Sequence, residues 1–187
     1  MSGTGLDNMN KNSINILCFI CLTAISAKIG YHDPLPDYLI NKMNRAAIKI
    51  WGKNINFSKK THSESISDHH IFKINLADSL AGYAIVSRAL GCKIGGCSVE
   101  NTKESSFEEF YYITLVNTNH KIQQVKVLEY TSDYGYQIAN KGWLKQFQQG
   151  GKFTVNENID AISGATISVN SITQGVNDQL NLLTKLH

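Results

Sequence analysis

Proline is nearly absent from this chain of 187 residues, with two in all, and charged side chains make up only 18% of it. With 42% hydrophobic residues beside that scarcity, the chain is neither collagen-like nor disordered and is expected to fold around a core. No apolar run reaches the ~20 residues that a helix needs to cross a bilayer. The net charge of +3 comes from interspersed lysines and acids, without the dense basic stripe that follows a phosphate backbone, so nucleic acid is not an expected partner. Also missing are a glycine-rich nucleotide fingerprint, a Cys-x-x-Cys pair, and any nucleophile-base or paired-carboxylate set at a recognisable spacing. No histidine stands at ligand spacing beside a cysteine, and no metal site is expected. Once a targeting segment is set aside, the length allows one domain with a sizeable core.

That targeting segment is the first thing present. Lys11 precedes the apolar stretch from Ile14 to Ala27, which ends in small residues and is closed by Lys28. This is the outline of a secretory signal, with residues 1–27 removed near Ser26 or Ala27 and residues 28–187 forming the mature domain. Met9 is a plausible start of translation within it. The expectation is an exported protein of the periplasm or cell envelope, membrane-associated if the segment is retained. Neither Cys18 nor Cys21 follows the small residues of a lipoprotein cleavage site. Cys92 and Cys97 then remain in a compartment where disulfides persist. A staple across so short a loop stabilises by about 2 kcal/mol on the chain-entropy estimate. A redox-active dithiol and half of a metal site are the other readings of the pair.

Along the mature chain, Leu39, Met43, Ala47 and Ile50 recur on one face and predict an amphipathic helix over Pro34–Trp51. Polar residues from Lys53 to Asp68 read as a loop, and His62, His69 and His70 as surface residues. Residues 28–70 thus form an N-terminal helix and loop ahead of a core over 71–187. Strands are expected over Ile71–Leu76, Leu80–Ala89, Phe110–Val116 and Ile122–Tyr130, the last two joined by a turn at Asn117–His120. The polar Glu100–Glu104 stretch reads as a solvated loop. A short helix follows over Ile138–Gln149, ended by Gly150 and Gly151. Val169, Ile172, Val176, Leu180 and Leu183 give a longer final helix one continuous apolar stripe. The fold class is α+β: an antiparallel sheet of about four to six strands with helices packed on it.

Immediately before that helix stands Asp160-Ala161-Ile162-Ser163-Gly164-Ala165-Thr166. Ser163 is a candidate helix cap, worth about 1 kcal/mol. The same position suits an anion, because N–H groups at a helix start lack partners and the helix dipole favours negative charge there. Small side chains leave room for the anion, and Thr166 offers a hydroxyl beside it.

The run resembles the flavinylation sequence of the FMN-binding domain family, which includes the covalent-FMN subunits of the Rnf complex and of the sodium-translocating NADH:quinone reductase. The resemblance extends from Phe110 to the C-terminus and puts the flavin motif at the N-terminus of the last helix. It implies that a flavin transferase, with FAD as donor, attaches FMN through its phosphate to Thr166. Asp160, Ala161, Ser163, Gly164, Ala165 and Ile167 would serve recognition by the transferase or the fit around the phosphate. Where many relatives have Thr-Pro-Gly-Leu-Gly, this chain has Tyr130-Thr131-Ser132-Asp133-Tyr134-Gly135, and Tyr134 and Gly135 are expected to border the flavin, Tyr134 as a stacking partner. Trp143 is expected in the core instead of on the ring. The resemblance implies an electron carrier whose partners are the transferase and redox proteins of the envelope or membrane. A flavin-dependent reductase acting on a small molecule and a non-redox binding module are the alternatives.

Overall fold

The computed structural model describes residues 34–59, 69–93, 107–131 and 134–185. The predicted signal segment with Met9, Cys18, Cys21 and Lys28, as well as His62, the Glu100–Glu104 stretch and Cys97, lie outside the described residues. Helix α1, Asp37–Trp51, starts three residues later than its apolar period suggests. Pro36 is the reason: its ring disfavours helical backbone at Leu35, and Pro36 itself is extended, at φ −56° and ψ 141°.

Five strands follow: β1 Ile55–Lys59, β2 His69–Leu76, β3 Ser79–Lys93, β4 Phe107–Asn117 and β5 Ile122–Glu129. They pair antiparallel in chain order, so the sheet is a meander with β1 and β5 at its ends. β1 falls inside the segment read as a loop. Its alternation is brief and masked by Asn, Ser and Lys, and it forms by pairing Ile55 to Leu76 and Phe57 to Ile74 on β2. β3 also runs past the predicted Ala89, which places Cys92 within a strand. In the β4–β5 turn the left-handed residue is His120, at φ 57°. Asn117 holds the turn by accepting from the N–H groups of Asn119 and Lys121 at 3.0 and 2.9 Å.

The strand alternation divides the core into two layers. Leu39, Met43 and Ala47 of α1 pack on one face with Ile74, Ala84, Val86, Ile113 and Leu115. The opposite face, including Tyr83, Ile85, Phe110, Tyr112 and Val116, is covered by Val169, Ile172 and Val176 of the last helix, α3, Thr166–Thr184. Each such aliphatic side chain contributes roughly 1.5–3 kcal/mol on burial, so the position of α3 is set by its stripe and not by its termini. The predicted Ile138–Gln149 helix is instead three short pieces: a 3-10 turn over Tyr136–Ala139, helix α2 over Lys141–Leu144, and a second 3-10 turn over Lys145–Gln149. Asn140 makes the break, because its extended backbone ends one piece while its side chain caps the next, accepting from the N–H groups of Gly142 at 2.7 Å and Trp143 at 3.3 Å. His69 and His70 lie within β2, both half-buried, and His69 Nδ1 stands 2.5 Å from Ser87 Oγ. Neither is the plain surface residue that its polar setting suggests.

Candidate functional site

The seven-residue run forms an arch between two buried anchors. Ile159 and Ala165 are packed in the core, while Asp160, Ala161, Ser163 and Gly164 are exposed and Ile162 is half-buried. Two side chains from the α2 region grip its first residue. Trp143 Nε1 donates to the Asp160 carbonyl at 2.8 Å, and the Asp160 N–H donates to Gln146 Oε1 at 2.8 Å. Trp143 is 9% exposed, a core residue with one polar duty. Just upstream, Asn177 of α3 ties down Phe153 with two hydrogen bonds, one to its N–H at 3.0 Å and one to its carbonyl at 2.9 Å. The arch is therefore fixed at its base and open at its crown.

At the crown the chain turns on Gly164, which has φ +75° and open space where a Cβ would stand. A short turn closes from the Ala165 N–H to the Ile162 carbonyl at 3.1 Å, and α3 begins at Thr166. Ala165 is the residue at the cap position, and no side chain caps the helix. Ser163 is exposed two residues upstream and does not cap α3, contrary to expectation. The turn at Gly164 displaces it: the helix starts later than the run of small residues suggests. Thr166 is exposed on the first turn, Ile167 is half-buried, and Ser168 points inward and is fully buried.

Ser168 leads to a cluster that the sequence does not announce. Its Oγ is 3.0 Å from Tyr130 Oη, which donates in turn to the Tyr134 carbonyl at 2.5 Å. It is also 3.6 Å from Cys92 Sγ. Cys92 is disulfide-bonded and fully buried, and its sulfur approaches the Gly164 carbonyl at 3.6 Å. A disulfide sulfur has no proton to donate, and the Tyr130 proton goes to the Tyr134 carbonyl, so Ser168 donates to Tyr130 Oη and the approaches of Cys92 Sγ to Ser168 and Gly164 are packing. Gly135, at φ +80°, closes the cluster from the other side: a Cβ there would stand 2.6 Å from Tyr130 Oη, 2.9 Å from Cys92 Sγ and 3.2 Å from Ser168 Oγ. The stretch Tyr134-Gly135 thus lies beside the first turn of α3. Tyr134 and the unforeseen Tyr136 are 48% and 61% exposed, two large aromatic surfaces on this stretch. Exposed aromatics carry no periodic signal, so Tyr136 could be found only from the structure.

An uncapped helix start, small side chains and an accessible hydroxyl at Thr166 suit a phosphate group. Residues 109–181 match the family model of the FMN-binding domain. Over that segment the chain is similar to an FMN-binding domain. The matched segment runs from β4 into α3 and contains the arch, Tyr130, Gly135 and Ser168; Cys92 precedes it on β3 yet packs against it. The match supports FMN as the ligand of this domain. No curated protein matches the chain.

Proposed function

We propose that the chain is an exported flavoprotein that holds FMN by a phosphodiester to Thr166 Oγ1 and passes electrons to redox partners in the cell envelope. The observation that carries this reading is the exposed Thr166 hydroxyl on the uncapped first turn of α3, at the end of an arch whose crown is open to a modifying enzyme. In the attachment step the Thr166 hydroxyl loses its proton as its oxygen bonds to the FMN phosphorus of FAD. The pyrophosphate bond breaks and AMP leaves. Asp160, Ala161, Ser163 and Gly164 present the surface that the flavin transferase reads, and Ala165 and Ile167 flank the acceptor. The first-turn N–H groups and the helix dipole stabilise the phosphate charge on either side of that reaction. Bound FMN supplies the one- and two-electron chemistry, while the protein supplies attachment and orientation. Tyr134 and Gly135 border the ring, with Tyr134 as its stacking surface.

Export gives the tether a purpose, because a covalent link holds the flavin at high effective concentration where a dissociated one would be lost. Signal removal near Lys28 accords with the short apolar stretch and its small-residue end. Among the described residues no helix is long and apolar enough to cross a membrane. The test is to express the full chain together with a flavin transferase, fractionate the cells, and sequence the N-terminus of the recovered protein. A yellow envelope protein that begins near Lys28, keeps its flavin after denaturation and is reversibly reduced and reoxidised is the expected product. A cytoplasmic protein that releases its flavin on denaturation would contradict the reading.

A further inference from the structure

On the edge of the sheet, a cleft of about 340 Å³ opens between α1, β5 and the α2 region. Four lysines line it, Lys49 from α1, Lys126 from β5, and Lys141 and Lys145 from the α2 region. Its apolar walls include Val125, Val127 and Leu144. Among the described residues none of the four lysines forms an ion pair. No Asp or Glu among the described residues lines the cleft, and Glu129, on the same strand and hydrogen-bonded by the Tyr38 hydroxyl, is outside its lining. Lys126 is half-buried, and first its burial, then the charges of Lys49, Lys141, Arg45 and Lys42, hold its ammonium group below the ordinary lysine range. Like charges gathered around one concavity without a counter-charge mark a place where an anion relieves an existing cost. The volume is that of a small-molecule site, and apolar walls under a cationic rim favour an anion with an apolar body over a bare one.

We propose that this cleft is a binding site for a small organic anion that carries a phosphate or similar dianionic group on an apolar body. Val125, Val127 and Leu144 contact the body, and Lys126 and Lys145 meet the charge from two different elements. The site is separate from the flavin arch but shares a wall with its support: Lys141, Leu144 and Lys145 interleave with Trp143 and Gln146, which grip Asp160. An occupant is therefore sensed at the Trp143 indole N–H. The inference does not depend on covalent flavin attachment.

The test is a titration of the full chain with 1-naphthyl phosphate, followed by calorimetry and by amide and indole N–H shifts. 1-Naphthol and inorganic phosphate are the companion probes. The expected result is one saturable site for 1-naphthyl phosphate that shifts residues 124–127 and 141–148 and the Trp143 indole N–H. Affinity should fall at least tenfold in Lys126→Gln/Lys145→Gln and stay unchanged in Lys152→Gln. No saturable binding, equal binding by the double variant, or shifts confined to other regions would overturn the proposal. Binding of 1-naphthol or of inorganic phosphate as tight as that of 1-naphthyl phosphate would also overturn it, because the site needs both charge and body.

Discussion

Gly135 is the position where the site depends most on one missing side chain, and Gly135→Ala measures that dependence. An alanine at φ +80° carries a left-handed backbone cost of about 1–2 kcal/mol. Its Cβ would also stand 2.6 Å from Tyr130 Oη and 2.9 Å from Cys92 Sγ. The sulfur cannot retreat, because it is fully buried and disulfide-bonded. Tyr130 can move only by giving up its contacts with the Tyr134 carbonyl and Ser168, each worth about 1 kcal/mol. Overpacking of this kind costs roughly 1–3 kcal/mol, for a total of about 2–5 kcal/mol. The control is Gly135→Ala made in a Tyr130→Phe background, where the backbone is the same and the oxygen that a Cβ would meet at 2.6 Å is gone. Backbone strain and the unfolded-state entropy change are common to both measurements, so their difference isolates the packing cost against Tyr130 Oη. Urea unfolding should show Gly135→Ala costing about 1–3 kcal/mol more in the parent than in Tyr130→Phe at similar m values. At urea concentrations where both are folded, Gly135→Ala should also accept less flavin than the parent, because Gly164 and Ser168 border the same cluster. Equal losses in the two backgrounds would refute the packed cluster beneath α3.

Three further outcomes follow from the geometry. Trp143→Phe keeps most of the apolar volume but removes the donor to the Asp160 carbonyl, and should cost about 1 kcal/mol in urea unfolding and lower the rate of flavin attachment. Ser163→Ala should leave stability unchanged within about 0.5 kcal/mol, because Ser163 caps nothing; a loss near the ~1 kcal/mol of a true cap would restore that role. Lys126→Met should raise stability at pH 7 by at most about 1 kcal/mol, since it removes a half-buried cation from among like charges. A lysine held below its ordinary range in the folded state binds its proton more weakly there than in the unfolded chain. Stability of the parent protein should therefore gain as pH rises from the folded value of Lys126 toward its unfolded value, and the variant should lack that increment in pH-dependent unfolding.

The elements legible in the sequence are those with a long period or with distinctive end residues. The α3 stripe, the α1 face and the alternation in β4 and β5 each repeat often enough to specify both type and facing. β1 is hidden because two apolar residues among polar ones are too few to establish a period, and only pairing with β2 makes them a strand. Asn140 is hidden for a different reason: one side-chain cap divides what periodicity reads as a single helix. At the site, the Asp160–Thr166 run is legible as local chemistry, since small residues before a helix carry their meaning in sequence order. The support beneath it is not. Cys92, Tyr130, Gly135 and Ser168 come from four separate segments, and no local pattern tells that β3 and α3 bring them together. Trp143 reads correctly as a core residue from its helical spacing, but its hydrogen bond to Asp160 requires the fold.

Thr166→Val tests the central claim most directly. Valine keeps the branched shape of threonine, and α3 is held by its buried stripe, so the fold should persist while the one oxygen that can carry the phosphate is removed. The measurement is in-gel flavin fluorescence after denaturation, with intact mass, on parent and variant proteins made beside the same flavin transferase. The account predicts one covalently bound FMN on the parent chain and none on the folded variant. A parent without covalent flavin, or a Thr166→Val protein that keeps it, would contradict the assignment of Thr166 as the point of attachment.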